Sequence, residues 1–131
     1  MMKIGMKLFQ TILTGLLIMG NTASPPSESE ERLLCIFGKE QHKKSVDQEV
    51  QLFEKEKDAL KERSLKLIVV PENSLLYKKY QVSSGDFIVI LVGKDQTEKY
   101  RTNKIVQPAE IFTIIDGMPM RRQEMQKPKS D

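Results

Sequence analysis

The 131-residue sequence has a single cysteine, Cys35, and a single histidine, His42. One cysteine excludes an internal disulfide, and it excludes the pair of thiols that thiol–disulfide oxidoreductases normally use. One histidine with no cysteine near it makes a poor metal site. The sequence also lacks the glycine pattern that cradles phosphate groups. We therefore expect neither a disulfide-stapled fold nor a bound metal or other cofactor.

A long apolar run is also missing. The apolar segment near the N terminus, residues 8–19, is shorter than the ~20 residues that a membrane-spanning helix needs. Lys3 and Lys7 precede it and a small, polar stretch follows, which is the three-part pattern of a secretory signal peptide. We predict cleavage after Ala23, export to the periplasm or the extracellular space, and no stable membrane span afterwards. The alternative is an uncleaved membrane anchor.

A broad excess of positive charge is absent from the mature chain. Removal of residues 1–23 takes away Lys3 and Lys7 and no acid, which lowers the formal net charge from +3 to +1. Proteins that bind nucleic acid rely on a much stronger positive field. We therefore expect the partner to be a protein or a small anionic ligand rather than nucleic acid.

The first half of the chain predicts a strand followed by a helix. Residues 33–37 are apolar and fit a buried strand, whereas residues 39–44 show no periodicity and are expected to form a loop. Ser45 and Gln48 make a capping-box pattern, which predicts one amphipathic helix over residues 45–63. The apolar side chains of this helix are Val46, Val50, Phe53 and Leu60.

The later strands are expected at residues 65–70, 87–92 and 97–102. Residues 87–92 are apolar throughout, so this strand should be covered on both faces and lie inside the sheet. Residues 93–96 are typical of a hairpin turn, which makes the polar strand after them an edge strand. Between the second and third strands, Asn73 is expected to cap a short helix that directs Leu76 and Tyr80 towards the core.

Pro108 with Glu110 behind it predicts the start of a last helix, and Gly117 with Pro119 predicts its end. Its apolar stripe consists of Ile111, Phe112, Ile115 and Met118. The polar sequence beyond Pro119 is expected to form a charged tail.

This order of elements predicts an α/β fold of the thioredoxin-like type. A strand–helix–strand unit gives a right-handed parallel pair, and the hairpin adds two antiparallel strands. The result is a four-stranded mixed sheet with helices on both faces. We assign residues 1–23 to the signal peptide, 24–31 to a disordered Pro/Ser/Glu-rich leader, 32–125 to the domain and 126–131 to the charged tail.

Four segments of the sequence resemble the DUDES domain, a family of unknown function. They are "RLLCIFG", "LLYKKYQV", "FIVILVGKDQTEKYR" and "IFTIIDGMPMRRQEM". The family occurs in exported bacterial proteins and in vertebrate extracellular proteins, including those with sushi repeats. The resemblance covers residues 31–125 and implies a thioredoxin-like or peroxiredoxin-like fold. It supplies no reaction, because the family has no established catalytic residues.

Cys35 is the weak candidate for a catalytic residue. A reactive thiol needs a lowered pKa, which a helix N terminus or a neighbouring cation usually provides. Cys35 instead alternates with Leu34 and Ile36 inside the first strand, ten residues before the predicted helix start at Ser45. We expect the thiol to be part of the core.

Two groups of residues are candidates for binding. His42, Lys43 and Lys44 occupy the loop in which a thioredoxin carries its cysteines, and the start of the next helix could receive an anion or a partner there. Arg121 and Arg122 could grip a carboxylate or phosphate with two parallel hydrogen bonds. The alternative for the loop is that it is simply solvated. The alternative for the two arginines is that they pair with the domain's own acids.

We interpret the chain as an exported thioredoxin-like domain without a redox cysteine pair, acting as a non-catalytic binding module. One alternative is a peroxiredoxin-like antioxidant enzyme that uses Cys35 as its only thiol. The other is a passive structural domain that docks onto a larger envelope assembly. The enzyme alternative requires Cys35 to be accessible and ionised near neutral pH. The binding interpretation requires an exposed patch.

Overall fold

The computed structural model describes residues 30–126. The predicted signal peptide lies outside these residues, as do residues 24–29 of the predicted leader and residues 127–131 of the predicted tail. The elements are β1 (Arg32–Phe37), a 3₁₀ turn (Glu40–His42), α1 (Lys43–Glu54), α2 (Lys57–Glu62), β2 (Leu65–Val69), α3 (Leu76–Lys79), β3 (Ile88–Val92), β4 (Glu98–Thr102), α4 (Pro108–Asp116) and α5 (Pro119–Gln126).

The four strands form one mixed sheet in the order β2–β1–β3–β4. β1 and β2 run parallel, with Leu34 opposite Leu67, whereas β3 is antiparallel to both of its neighbours. The two inner strands are β1 and β3, and nearly all of their residues are buried. The predicted thioredoxin-like fold is confirmed, and so is the inner position of β3 and the edge position of β4.

Alternate residues of the inner strands point to opposite faces of the sheet, and each face has its own apolar core. On the first face, called here the α1–α4 face, the core includes Leu34, Ile36, Val46, Phe53, Val89, Leu91, Ile111 and Ile115. On the second, called the α3 face, it consists of Cys35, Phe37, Val70, Tyr77, Val82, Ile90 and Val92. The predicted placement of helices on both faces is therefore observed.

The prediction of one long helix over residues 45–63 is wrong in two respects. The helix begins at Lys43, with His42 as the residue before it, so Ser45 lies inside the first turn and is not its cap. The helix also ends at Glu54, because the Glu56 N–H donates to the Phe53 carbonyl oxygen at 2.9 Å and closes a tighter turn. The predicted loop at 39–44 is shortened by the 3₁₀ turn and the early start of α1.

The short helix α3 also differs in detail from the prediction. Tyr77 is the buried side chain, whereas Leu76 and Tyr80 are half-buried at the margin of the α3 face. Asn73 does not cap the helix. The Leu76 N–H instead donates to the Ser74 hydroxyl oxygen at 3.1 Å.

The prediction of a charged tail directly after Pro119 is wrong, because residues 119–126 form the helix α5. Pro119 suits a first helical position, where its missing N–H costs nothing. The segment is polar, so its local sequence gave no apolar stripe to indicate a helix. Buried ion pairs, described below, anchor this helix to the rest of the domain.

The hairpin and the last predicted helix are confirmed. Gly93 N–H donates to the Thr97 carbonyl oxygen at 2.9 Å across the turn. α4 starts at Pro108, where the Gln107 N–H donates to the Glu110 carboxylate, and Gly117 follows its last residue.

Candidate functional site

The end of β1 that leads into α1 is the place where a thioredoxin would carry its cysteines, and here it carries His42. His42 Nε2 lies 2.9 Å from the Gly85 carbonyl oxygen, so the proton of the neutral ring sits on Nε2 and is donated to that oxygen. The imidazole thus ties the turn before α1 to the loop before β3. A shallow cavity of about 280 Å³ lies beside it, lined by His42, Gly85, Asp86, Phe87, Ile88 and Asn103.

Lys43 and Lys44 are exposed in the first turn of α1. The Lys43 ammonium lies 3.0 Å from the Asp47 carboxylate, one helical turn further on. Neither lysine therefore forms a shared anion-binding site with His42 in this structure. It shows a solvated helix start, with one surface ion pair of the kind that contributes little to stability.

Cys35 lies on the α3 face, with Ile68 and Ile90 opposite it on the neighbouring strands. Its exposed fraction is 1%. Burial raises the pKa of the Cys35 thiol to about 11, although the positive charge of Lys79 opposes the rise. At pH 7 roughly one thiol in 10,000 is then ionised, and the thiolate is the form that reacts.

The two adjacent arginines do not act as a pair. Arg121 is 4% exposed, and its Nε lies 3.0 Å from Asp116 Oδ1 while its Nη2 lies 2.7 Å from Glu62 Oε2. Arg122 is exposed and forms no ion pair with any residue in 30–126. Arg121 is therefore committed to the domain's own acids. The two guanidinium groups do not form a joint clamp for a carboxylate or phosphate.

Arg121 belongs to a larger network of charged side chains that the sequence analysis did not predict. Its cations are Arg32, Arg63, Lys94 and Arg121, and its carboxylates are Glu62, Asp116 and Glu124. We call this group the arginine network. It lies at the end of the sheet opposite His42, where β1 begins and β3 ends. Four cations against three carboxylates leave it one positive charge in excess.

Arg32 is the most deeply buried member, with an exposed fraction of 1%. Its Nη1 donates to the Arg63 carbonyl oxygen at 2.8 Å, and its Nη2 donates to Glu124 Oε2 at 3.1 Å. The same carboxylate oxygen accepts a hydrogen bond from Lys94 Nζ at 2.7 Å. Burial would raise the pKa of Glu124, but the hydrogen bonds from Arg32 and Lys94 outweigh it and hold that pKa below its ordinary value.

A cavity of about 190 Å³ opens beside this network, between the β3–β4 turn and the junction of α4 with α5. We call it the α5 cavity. It is lined by Arg32, Gly93, Lys94, Asp95, Lys99, Met118, Pro119 and Met120. Asp95 is paired with Lys99 at 2.7 Å, so Arg32 and Lys94 supply the remaining charge of the wall.

One polar atom of Arg32 has no partner among the described residues. Arg32 Nε is buried and donates no hydrogen bond, although both terminal nitrogens of the same side chain do. A buried donor without an acceptor is unfavourable and rare in folded proteins. Because Nε is itself out of contact with solvent, the donor that the α5 cavity offers to an anion is the Lys94 ammonium, which lies beside an apolar wall.

Two features of the sequence pointed to this site, and both had another interpretation. Arg32 is a charged residue directly before an otherwise apolar run, where it is readily interpreted as the polar flank of a strand. Lys94 lies in a typical turn sequence, which accounts for its presence without any further role.

Two kinds of feature were not found among the described residues, a cluster of metal ligands and a membrane-spanning helix. Nowhere in residues 30–126 do three side chains of His, Cys, Asp or Glu converge to hold a metal ion. Over the same residues, no helix is both long and apolar enough to cross a membrane.

The chain was compared with known families, curated proteins and solved structures. No curated protein and no solved structure matches it. A family model described as "Domain of unknown function (DUF4174)" matches residues 27–124, which include all four described strands and six of the eight residues of α5. The chain therefore belongs to the DUF4174 family of domains of unknown function.

Proposed function

We propose that this protein is an exported, non-catalytic binding module of the DUDES type, which uses a thioredoxin-like fold without redox chemistry. Its partner is a protein or a small anionic ligand in the periplasm or outside the cell. The resemblance of its sequence segments to that domain and the pattern of residues 1–23 support the proposal.

The observation that carries it is the position of Cys35. The thiol is buried within β1, on the face away from α1, and burial raises its pKa to about 11. The segment before α1, where a thioredoxin-type thiol would be activated by the helix N terminus, carries Lys39 and His42 instead, and Lys43 and Lys44 follow in the first turn of the helix. A peroxidase that relied on Cys35 would have to expose and ionise this thiol in each catalytic cycle.

Thiol reactivity of the folded protein tests the proposal. We expect a thiol reagent to label Cys35 only after unfolding in urea, and hydrogen peroxide to leave the folded protein unchanged. A matched control is Lys44→Cys in a Cys35→Ala background, which places one thiol at the exposed start of α1 and should label at the rate of a free thiol. Fast labelling of wild type with an apparent pKa below about 7, with peroxide turnover lost in Cys35→Ser, would establish the enzyme alternative.

Export is tested separately by the mass of the protein recovered from the periplasm or medium. The expected mass is that of a chain beginning at Ser24. A chain that retains residues 1–23 and sediments with membranes would contradict the proposed export.

A further inference from the structure

We propose that the α5 cavity binds a small amphipathic monocarboxylate, an organic anion with one carboxylate and an aromatic or short aliphatic body. This inference rests on the proposed binding function and names the class of its ligand. Four observations carry it: the spare donors of Lys94, the excess positive charge, the apolar wall and the volume of the cavity.

The first observation concerns hydrogen bonding. Lys94 lines the cavity and is largely buried, with a side-chain exposure of 15%. Its ammonium has three donors, and Glu124 Oε2 accepts one of them at 2.7 Å. A carboxylate placed in the cavity would provide a second partner for this ammonium, beside the positive charge of Arg32.

The second observation limits the charge of the ligand. The arginine network holds one positive charge in excess, and Glu124 lies 2.7 Å from Lys94 Nζ. A monoanion would neutralise this excess. A dianion such as phosphate would bring a second negative charge close to Glu124, without further donors to offset the repulsion. The site therefore favours carboxylates over phosphate.

The third observation concerns the body of the ligand. Met118, Pro119 and Met120 form one wall of the α5 cavity, and the aliphatic stems of Lys94 and Lys99 add to its apolar surface. Methionine side chains adapt to irregular apolar ligands because they are flexible and polarisable. A fully hydrated anion such as acetate would leave this wall uncovered, so the ligand needs an apolar part.

The volume sets the size of that part. An engineered cavity of about 150 Å³ with an apolar lining holds benzene. The α5 cavity measures about 190 Å³, which is enough for a ring or a short chain together with a carboxylate. Benzoate and hexanoate are therefore suitable probes, and benzamide and hexanamide are their neutral counterparts of nearly the same shape.

The experiment is a titration of the protein, expressed from its full 131-residue chain and labelled with ¹⁵N, with each of these four compounds and with acetate and inorganic phosphate. We expect benzoate and hexanoate to shift the amide resonances of Gly93, Met118 and Met120. The two amides, acetate and phosphate should bind at least tenfold more weakly. Lys94→Met should weaken benzoate binding at least tenfold, whereas Lys78→Gln, on the exposed side of α3, should leave it unchanged.

The outcomes distinguish this inference from the proposed function. Equal binding of benzoate and benzamide would overturn the assignment of an anion site, as would tighter binding of phosphate. If none of the probes shifts a resonance of the cavity, the inference is also overturned, and a protein partner becomes the remaining class under the proposed function. The non-catalytic part of the proposed function fails only if Cys35 proves reactive, which the thiol measurement decides independently, and the export of the protein is decided by the mass measurement.

Discussion

The carboxylate of Glu124 accepts hydrogen bonds from the guanidinium of Arg32, 92 residues earlier in the chain, with an Nη2–Oε2 distance of 3.1 Å. The contact joins the first described strand to the last described helix. Since Lys94 also donates to this carboxylate, one acidic side chain connects the start of β1, the hairpin turn and α5. α5 has no apolar stripe of its own, so these charged contacts are its main attachment.

Glu124→Gln is expected to lower the free energy of unfolding by about 2 kcal/mol or more, because it leaves the buried Arg32 without its anionic partner. Urea denaturation measures the change. The control is Gln123→Ala, an exposed position on the same helix, which should change stability by no more than about 0.5 kcal/mol. If both variants lose the same amount, the loss does not come from the contact between Arg32 and Glu124, and this contact is dispensable.

The neighbouring arginines should respond very differently to the same substitution. Arg121→Gln removes the partner of Asp116 and Glu62 and should cost about 2–3 kcal/mol of stability, because the side chain is almost fully buried. Arg122→Gln alters an exposed side chain and should have an effect within about 0.5 kcal/mol. Thermal and urea unfolding of the two variants give the comparison. A large loss in Arg122→Gln would mean that this residue has a contact beyond residues 30–126.

Gly38 lies between β1 and α1, where there is no room for a larger side chain. A Cβ at this position would lie 2.7 Å from Val46 Cγ2 and 3.2 Å from His42 Cβ, so Gly38→Ala must displace α1 or the turn before it. We expect a loss of about 1–3 kcal/mol. Gly85→Ala is the matched control, since the nearest atom to its Cβ is 4.0 Å away, and it should be neutral or slightly stabilising. Equal stabilities of the two variants would show that α1 can shift without cost.

The apolar pattern of the sequence was sufficient to predict the sheet. Runs such as residues 87–92 have only one favourable environment, the inside of a sheet covered on both faces, so their position follows from burial alone. The helix α4 was equally predictable, because Pro108 and Gly117 mark its two ends. Local signals of this kind do not depend on distant parts of the chain.

The arginine network and α5 could not be predicted in the same way. Arg32, Lys94 and Glu124 are polar residues in three separate segments, and each has an ordinary local interpretation as the flank of a strand, part of a turn or part of a tail. Their roles depend on contacts over 30 and 92 residues, which no periodicity records. The break between α1 and α2 was missed for a related reason, since the Glu- and Lys-rich sequence is compatible with a continuous helix.

Glu49 is a buried acid on α1 that faces the α1–α4 core. Its Oε1 accepts a hydrogen bond from the Val106 N–H at 2.9 Å, while its Oε2 is buried and has no partner among the described residues. Burial raises the pKa of Glu49 from 4.5 to about 7; the negative charge of Glu110 adds to the rise, and the Val106 N–H opposes it. The carboxyl group thus changes its charge near neutral pH while it holds the loop before α4.

The pH dependence of stability follows from this shift. Below pH 4.5 Glu49 is protonated in both states; between pH 4.5 and about 7 the folded protein retains a proton that the unfolded chain releases. The contribution of Glu49 to stability is therefore complete at acidic pH and is lost as the pH rises to about 7. Urea denaturation at pH 5, 6, 7 and 8 measures the effect. Glu49→Gln should gain stability relative to wild type as the pH rises over this range. For Glu54→Gln, an exposed position on the same helix, the difference in unfolding free energy from wild type should stay constant. A constant difference between Glu49→Gln and wild type at all four pH values would mean that Glu49 keeps its ordinary pKa, because water or movement of the loop at Val106 then solvates the carboxylate.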